Sequence, residues 1–364
     1  MKEWNTKYNS FNSYKVFKHI EKWSSVVNDD RIDPPVFLSI DPNSGCNLKC
    51  KWCNASEALK YNKDKMTLST VDNIVELLSK WNTRAVCIAG GGEPLLNENT
   101  PTLANKLIDS GVKVGIITNG TELNKYYKDL MRCEWIGVSI DAGYSETFSK
   151  LKGVKPEIFD KVLNNLKLIN DYKKENNIIL CQTTYKYLIH PSNYKELYQA
   201  IKNAKEVGCD VFHARPGGDP WFNLSSNKFQ FDKEMIESAN EQIEKARSEF
   251  EDDSFKVFGI VHKFTDNWEI KHSFKKCYAV STNCFISSDG TIGLCCDRRG
   301  DKNLNISSVN NELYGDINTG WGSDKHKQIM KDIDISKCPR CTYSHVNELF
   351  ENVIIHDKML CDFI

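Results

Sequence analysis

Short apolar runs alternate with longer amphipathic stretches along most of this chain. Runs rich in Val, Ile and Ala predict strands at Val36–Asp41, Ala85–Ala89, Val112–Thr118, Trp135–Ile140, Ile178–Tyr185 and Asp210–Ala214. Between them, apolar residues recurring every three or four positions predict helices at Leu68–Lys80, Thr102–Asp109, Asn124–Met131, Pro156–Tyr172 and Tyr194–Val207. Strand, helix, strand in this rhythm argues for parallel βαβ units building a barrel-like or doubly wound α/β sheet, with functional residues at the C-terminal ends of the strands. A further helix is expected over Phe11–Val27, stopped by Asp33-Pro34-Pro35. Another is expected within Asp232–Glu249, whose Glu/Lys alternation reads as a solvated face. Beyond Cys277 the pattern shortens to hairpin-like pieces around the turn Ser287-Ser-Asp-Gly290. The expected organisation is an N-terminal helical extension (1–34), a core barrel (35–220), a helical linker (221–276) and a small α+β C-terminal domain (277–364).

A net charge of −1 supplies no electrostatic reason to bind nucleic acid or an anionic membrane. The residues after Met1 lack an apolar signal core and no run of 18 apolar residues occurs, so the expected location is the cytoplasm. Fourteen cysteines under those conditions read as ligands and core thiols and not as a disulfide framework.

The densest chemistry is Cys46-Asn-Leu-Lys-Cys50-Lys-Trp-Cys53, which follows the first strand and the turn Pro42-Asn-Ser-Gly45. Three thiolates in one short loop can hold three irons of a four-iron, four-sulfur cluster and leave the fourth iron open. A structural zinc site wants four closed ligands, and no fourth Cys or His lies near this loop. One βα unit later, Gly90-Gly-Gly-Glu93-Pro94 follows a strand, where glycines let backbone approach a ligand closely.

Together these residues resemble the radical S-adenosylmethionine (SAM) superfamily. Cys46, Cys50 and Cys53, with aromatic Trp52 before the last, match its three-cysteine motif, and Gly91-Gly92-Glu93-Pro94 matches its second motif. Ile117-Thr-Asn-Gly120 and Val138-Ser-Ile-Asp141 are similar to the ends of its third and fourth strands. The resemblance covers residues 35–220 and implies a partial (β/α)6 barrel of the TIM type. It implies that the amino and carboxylate groups of SAM chelate the open iron, with Gly91, Gly92 and Glu93 receiving the ammonium. Asn119, Ser139 and Arg215 would bond the ribose or carboxylate, although Asn119 also suits a turn and Ser139 a satisfied strand hydroxyl. Asp141 is a candidate cap for a helix beginning near Ser145.

The C-terminal residues carry a second signal. Cys277-x12-Gly290-x4-Cys295 followed by Cys338-x2-Cys341 resembles the auxiliary-cluster appendage called SPASM in its long form and twitch in its short form. The long form's further cysteines are missing after Cys341, so the resemblance is to the twitch type. It implies a second four-iron cluster on Cys277, Cys295, Cys338 and Cys341, although a closed four-thiolate site also suits zinc. Cys284, Cys296 and Cys361 are spare, with Cys296 or Cys361 able to substitute; Cys87, Cys133, Cys181 and Cys209 read as core thiols.

The implied activity is reductive cleavage of SAM to a 5′-deoxyadenosyl radical, which takes a hydrogen atom from a small polar substrate such as a sugar or aminocyclitol. Oxidation or rearrangement would follow, with the auxiliary cluster as electron acceptor and a flavodoxin or ferredoxin as reductant. The alternatives are a peptide- or protein-modifying maturase of the sulfatase or ribosomal-peptide kind, and a non-catalytic iron–sulfur electron carrier. Substrate contacts are expected in His213-Ala-Arg215-Pro-Gly-Gly-Asp219-Pro-Trp221, with Tyr185 and His190 as weaker candidates.

Overall fold

A computed structural model describes residues 15, 18, 19, 22, 32–61, 63–226, 230–259, 272–310, 320–338 and 341–355. The helix expected over Phe11–Val27 and the spare Cys361 lie outside the described residues.

One ten-stranded sheet organises the chain, in the order β10-β9-β8-β1-β2-β3-β4-β5-β6-β7. Strands β1 (Phe37–Ile40), β2 (Ala85–Ile88), β3 (Lys113–Thr118), β4 (Trp135–Ser139), β5 (Gln182–Ile189), β6 (Val211–Pro216) and β7 (Lys256–Gly259) run parallel in sequence order. The apolar runs that predicted them are the outward face of a sheet that buries both sides. Leu38, Ile40, Val86, Ile88, Val114 and Ile116 are all almost fully buried.

The helices cover that outward face. Leu68–Lys80 forms over its expected span: Thr67 caps it by accepting the Thr70 N–H, and Val71, Ile74, Leu77 and Leu78 make one buried stripe. Each of those side chains contributes roughly 1.5–3 kcal/mol of burial. Helix Lys233–Phe250, capped by Asp232, buries only Ala239, Ile243 and Ala246 and leaves its charged face outward as expected.

Several expectations are corrected. Among the described residues seven strands, not six, run parallel in sequence order, because β7 lies in the stretch expected to be a helical linker. The fifth strand starts four residues later than Ile178, and Ile179 and Leu180 form an exposed loop, 91% and 78% accessible. Instead of Asn124–Met131 only Leu123–Tyr126 is helical.

The C-terminal residues join the same sheet. Strand β8 (Phe285–Ile286) pairs parallel to β1, and β9 (Thr291–Gly293) and β10 (Asn305–Ser308) continue from it antiparallel. Ser39 N–H donates to Cys284 O and Asp41 N–H to Ile286 O. This pairing carries the segment after β9, with Cys295, to the C-terminal ends of β1 and β2.

Candidate active site

Two loops interlock at those ends. The Asn43 side-chain amide donates to Gly45 O at 2.8 Å and Glu93 O at 2.9 Å. Gly92 N–H donates to Asn43 O at 2.9 Å and Glu93 N–H to Gly45 O at 2.8 Å. Contact is close enough that only glycine fits: a Cβ on Gly92 would lie 2.0 Å from Gly45 O, and one on Gly90 would lie 1.8 Å from Gly92 O. Gly91 differs, since its nearest neighbour would be Asp41 Oδ2 at 3.7 Å. The cysteine loop and the glycine turn are thus one backbone-bonded unit, with room above Gly91.

The Glu93 carboxylate turns inward. It accepts from Thr118 Oγ1 (2.5 Å), Asn119 N–H (2.7 Å) and Leu95 N–H (3.0 Å). Burial pushes its carboxyl up to about 7 while those three donors pull it down. Asn119 extends the link: its amide donates to Asn47 Oδ1 at 2.8 Å and accepts from Thr121, whose hydroxyl in turn accepts from Asn47 Nδ2. Asn47 lies between Cys46 and Cys50, so the end of β3 holds the cysteine loop. The expected turn role of Asn119 and its place beside the site therefore coexist.

Helix Ser145–Lys152 holds the other side of that loop, its last carbonyls accepting from Lys49 N–H (2.8 Å) and Lys51 N–H (3.1 Å). Gly153, at φ +66, closes the helix, and a Cβ there would lie 3.0 Å from Lys49 Cβ. Lys152 is buried and ion-paired to Asp141, which follows β4 at φ +63 and also accepts Leu188 N–H. Asp141 therefore does not cap this helix, whose N-cap position is Tyr144. Burial alone would lower the Lys152 ammonium, but Asp141 and the Cys50 thiol more than offset it. Trp52 is buried, stacked on His190 at 5.1 Å, with the Lys152 ammonium 5.7 Å from its ring. The thiols of Cys46, Cys50 and Cys53 are free, and burial pushes Cys46 up to about 11 and the other two upward.

Lys152 and Asn47 are functional candidates that the sequence did not single out. Lys152 gave a weak signal as a lysine between Leu151 and Gly153 at a helix end, but its burial depends on tertiary packing.

The concave face of the sheet carries Ser139, Lys186, His213 and Arg215 on three adjacent strands. Lys186 Nζ lies 3.4 Å from His213 Nδ1. Tyr185, one residue out of phase, is buried on the opposite face and donates to Ala142 O. That position removes it from the concave face.

Farther along, Cys277, Cys295, Cys338 and Cys341 line one cavity with Asp297, Tyr343 and Asn347. Cys341 Sγ accepts from Tyr343 N–H (3.3 Å) and Asn347 Nδ2 (3.8 Å). The Asn347 side-chain Oδ1 accepts the N–H groups of Tyr278 and Ala279 beside Cys277. Cys284 and Cys296 do not line this cavity: Cys284 is a core thiol, and Cys296 Sγ lies 3.9 Å from the Tyr343 hydroxyl. Cys87, Cys133, Cys181 and Cys209 are buried. Among the described residues no three Cys, His, Asp or Glu side chains close on a single point as a lone ion requires.

Residues 40–202 match the model of the radical SAM superfamily. The chain carries a radical SAM domain. It is similar to the AdoMet-dependent heme synthase of Methanosarcina barkeri (strain Fusaro / DSM 804), 24% identical over 49% of this chain and 50% of that protein. It is also similar to the 7-carboxy-7-deazaguanine synthase of Aquifex aeolicus (strain VF5), 28% identical over 50% of this chain and 80% of that one. The chain thus spans half the length of the heme synthase. In fold it resembles Streptococcus suis SuiB bound to precursor peptide SuiA, with TM-score 0.63 and 18% identity over 88% of this chain and 71% of that one. It resembles native anSMEcpe with bound AdoMet and Kp18Cys peptide at TM-score 0.59 and 17% identity, over 82% and 83%. Members of the radical SAM superfamily are enzymes that use an iron–sulfur cluster and SAM.

The residues present fit such a cluster. Three free thiols lie on one loop with a backbone donor, Leu48 N–H, on Cys46 Sγ at 3.4 Å and the Lys152 charge beside Cys50. No fourth protein thiol belongs to this loop. Among the described residues no helix is long and apolar enough to cross a membrane.

Proposed function

We propose that the protein is a radical SAM enzyme that acts on a small polar molecule, with Cys46, Cys50 and Cys53 holding the SAM-binding cluster and Cys277, Cys295, Cys338 and Cys341 holding an auxiliary one. The observation that carries this reading is the backbone-bonded unit of cysteine loop and glycine turn, linked through Asn43, Gly45 and Gly92. When bound, the two clusters supply an electron donor that splits SAM to methionine and a 5′-deoxyadenosyl radical, and an electron acceptor for the substrate's oxidation.

The chain's own groups position and enclose. The Gly91 backbone would face the ammonium of SAM from above Asp41, and the Lys152 ammonium would stand opposite its carboxylate. Ser139 Oγ, on the concave face, suits a ribose or carboxylate oxygen. Glu93 and Asn119 act by holding the two loops together, since Glu93 accepts three hydrogen bonds and Asn119 both donates and accepts within the protein. Trp52 shields one side of the cysteine loop from water. The four-thiol cavity, with N–H donors aimed at Cys341, supports the twitch-type assignment of the C-terminal residues over spare use of Cys296.

A small substrate is favoured because the concave face presents the charged and hydroxyl groups of Ser139, Lys186 and Arg215. Modification of a peptide is the second reading, favoured by the peptides in the titles of the two similar folds. The proposed electron source is a flavodoxin or ferredoxin, and the proposed location is the cytoplasm.

The test is anaerobic reconstitution with iron and sulfide, reduction with dithionite, and chromatography after adding SAM. Formation of 5′-deoxyadenosine is expected. Its absence from fully loaded protein would favour an electron carrier.

A further inference from the structure

The concave face holds a cation that the protein itself leaves without a counter-ion in contact. Arg215, near the end of β6, is half-buried, and it makes no hydrogen bond or ion pair among the described residues. Asp297 and Asp141 act on it only at longer range. A carboxylate or phosphate offers such a guanidinium a bidentate match that the described residues do not supply.

A second positive group faces the same space. Lys186 on β5 shares the concave face with Arg215, and Arg215 acts on it strongly enough to help burial bring its ammonium down to about 8. Room for Lys186 is built into the neighbouring strand: a Cβ on Gly137 would lie 2.6 Å from Lys186 Cδ. The glycine lets the lysine stem lie across β4. Two basic side chains thus share one face of adjacent strands, Lys186 beside His213 and Arg215 two residues farther along β6.

We propose that Arg215, with Lys186 beside it, receives an oxyanion of the substrate, a carboxylate or a phosphate, at the mouth of the barrel. This deepens the reading of the protein as a radical SAM enzyme and rests on it. The substrate class becomes an acidic or phosphorylated small molecule, since a neutral sugar offers Arg215 no counter-charge. Arg215 then belongs to substrate and not to the carboxylate of SAM.

The test uses the anaerobically reconstituted full chain with SAM bound. Its thermal midpoint is titrated with sodium phosphate and, separately, sodium malonate, against sodium chloride of matched ionic strength. The native protein is expected to gain saturable stability from at least one oxyanion beyond chloride, and the preferred anion distinguishes phosphate from carboxylate substrates. Arg215→Gln is expected to weaken that response roughly tenfold or more, the cost of a lost charge-assisted hydrogen bond. Arg215→Lys should recover part of it, and Lys186→Met should weaken it independently, which keeps the test open if one variant fails to fold. Equal responses to oxyanion and chloride in the native protein would overturn the proposal. So would an oxyanion response that SAM abolishes, since the pair would then serve the cofactor. The cluster's electron paramagnetic resonance (EPR) spectrum is recorded in parallel. A native spectrum indifferent to SAM would instead count against the radical SAM reading itself, so the two failures are separable.

Discussion

Arg299 grips Asp41 across the junction between the C-terminal segment and the first strand of the barrel. Its Nε donates to Asp41 Oδ2 at 2.5 Å and its Nη2 to Oδ1 at 3.0 Å, while Nη1 donates to Cys296 O at 2.5 Å. Both side chains are about a tenth exposed or less, 10% and 5%. Through this pair the loop after Cys295 is tied to the strand end beside Gly91.

Arg299→Met leaves the Asp41 carboxylate buried and unpaired, and the expected cost is about 3–5 kcal/mol of stability. Denaturant unfolding of the reconstituted protein measures it. The double variant Asp41→Leu with Arg299→Met is expected to recover part of that loss, because the uncompensated charge is gone. No difference between single and double variants would mean the pair is not a buried unit.

The glycine turn predicts a sharp contrast between neighbours. Gly92→Ala drives a Cβ to 2.0 Å from Gly45 O, so the turn and the cysteine loop must separate. An overpacking cost of roughly 1–3 kcal/mol and loss of the SAM-dependent signal are expected. Gly91→Ala has 3.7 Å of clearance and is expected to keep its thermal midpoint while weakening SAM binding. Equal destabilisation of both would contradict the packing described.

Asn119→Ala removes the bonds to Asn47 and Thr121 that fix the cysteine loop from β3. The expected loss is about 1–2 kcal/mol, for a donor and an acceptor left unmatched. Iron analysis is expected to show occupancy falling at the N-terminal site first, and full occupancy under limiting iron would argue that the loop needs no such brace.

His326 makes the stability depend on pH. Its Nδ1 accepts Gly322 N–H at 3.0 Å and its Nε2 donates to Val280 O at 2.8 Å, a neutral tautomer held in a buried setting. Burial brings its value down from 6.5 to about 4, against the Val280 carbonyl. With the folded value depressed, its contribution is complete above pH 6.5 and is lost as pH falls toward 4. The ceiling is about 3 kcal/mol, at 1.36 kcal/mol per unit. Unfolding free energies between pH 7 and 4 should fall more steeply for the native protein than for His326→Gln.

The strand and helix alternation was legible because each βα unit announces itself locally: Leu68–Lys80 has both its cap and its buried stripe in the sequence. The fifth strand was misplaced because Ile178, Ile179 and Leu180 imitate a strand, although Ile179 and Leu180 are spent on an exposed loop. Strand β7 went unread since Lys256-Val-Phe-Gly259 is only four residues long and acquires its identity from pairing with β6. At the site, the cysteine and glycine motifs were visible as contiguous runs. Lys152, Asn47 and Arg299 were not, because their roles come from contacts between residues 11, 72 and 258 positions apart.

The central claim is that Cys46, Cys50 and Cys53 hold a cluster that SAM reaches, separate from the one in the C-terminal cavity. EPR spectra of the dithionite-reduced protein, with and without SAM, test it when the native chain is compared with a variant carrying Cys46→Ala, Cys50→Ala and Cys53→Ala. The account predicts that SAM reshapes the native spectrum, whereas the variant retains about half the iron, roughly four of eight atoms, in a signal that ignores SAM. A native spectrum unmoved by SAM, or a SAM effect that survives in the variant, would contradict it.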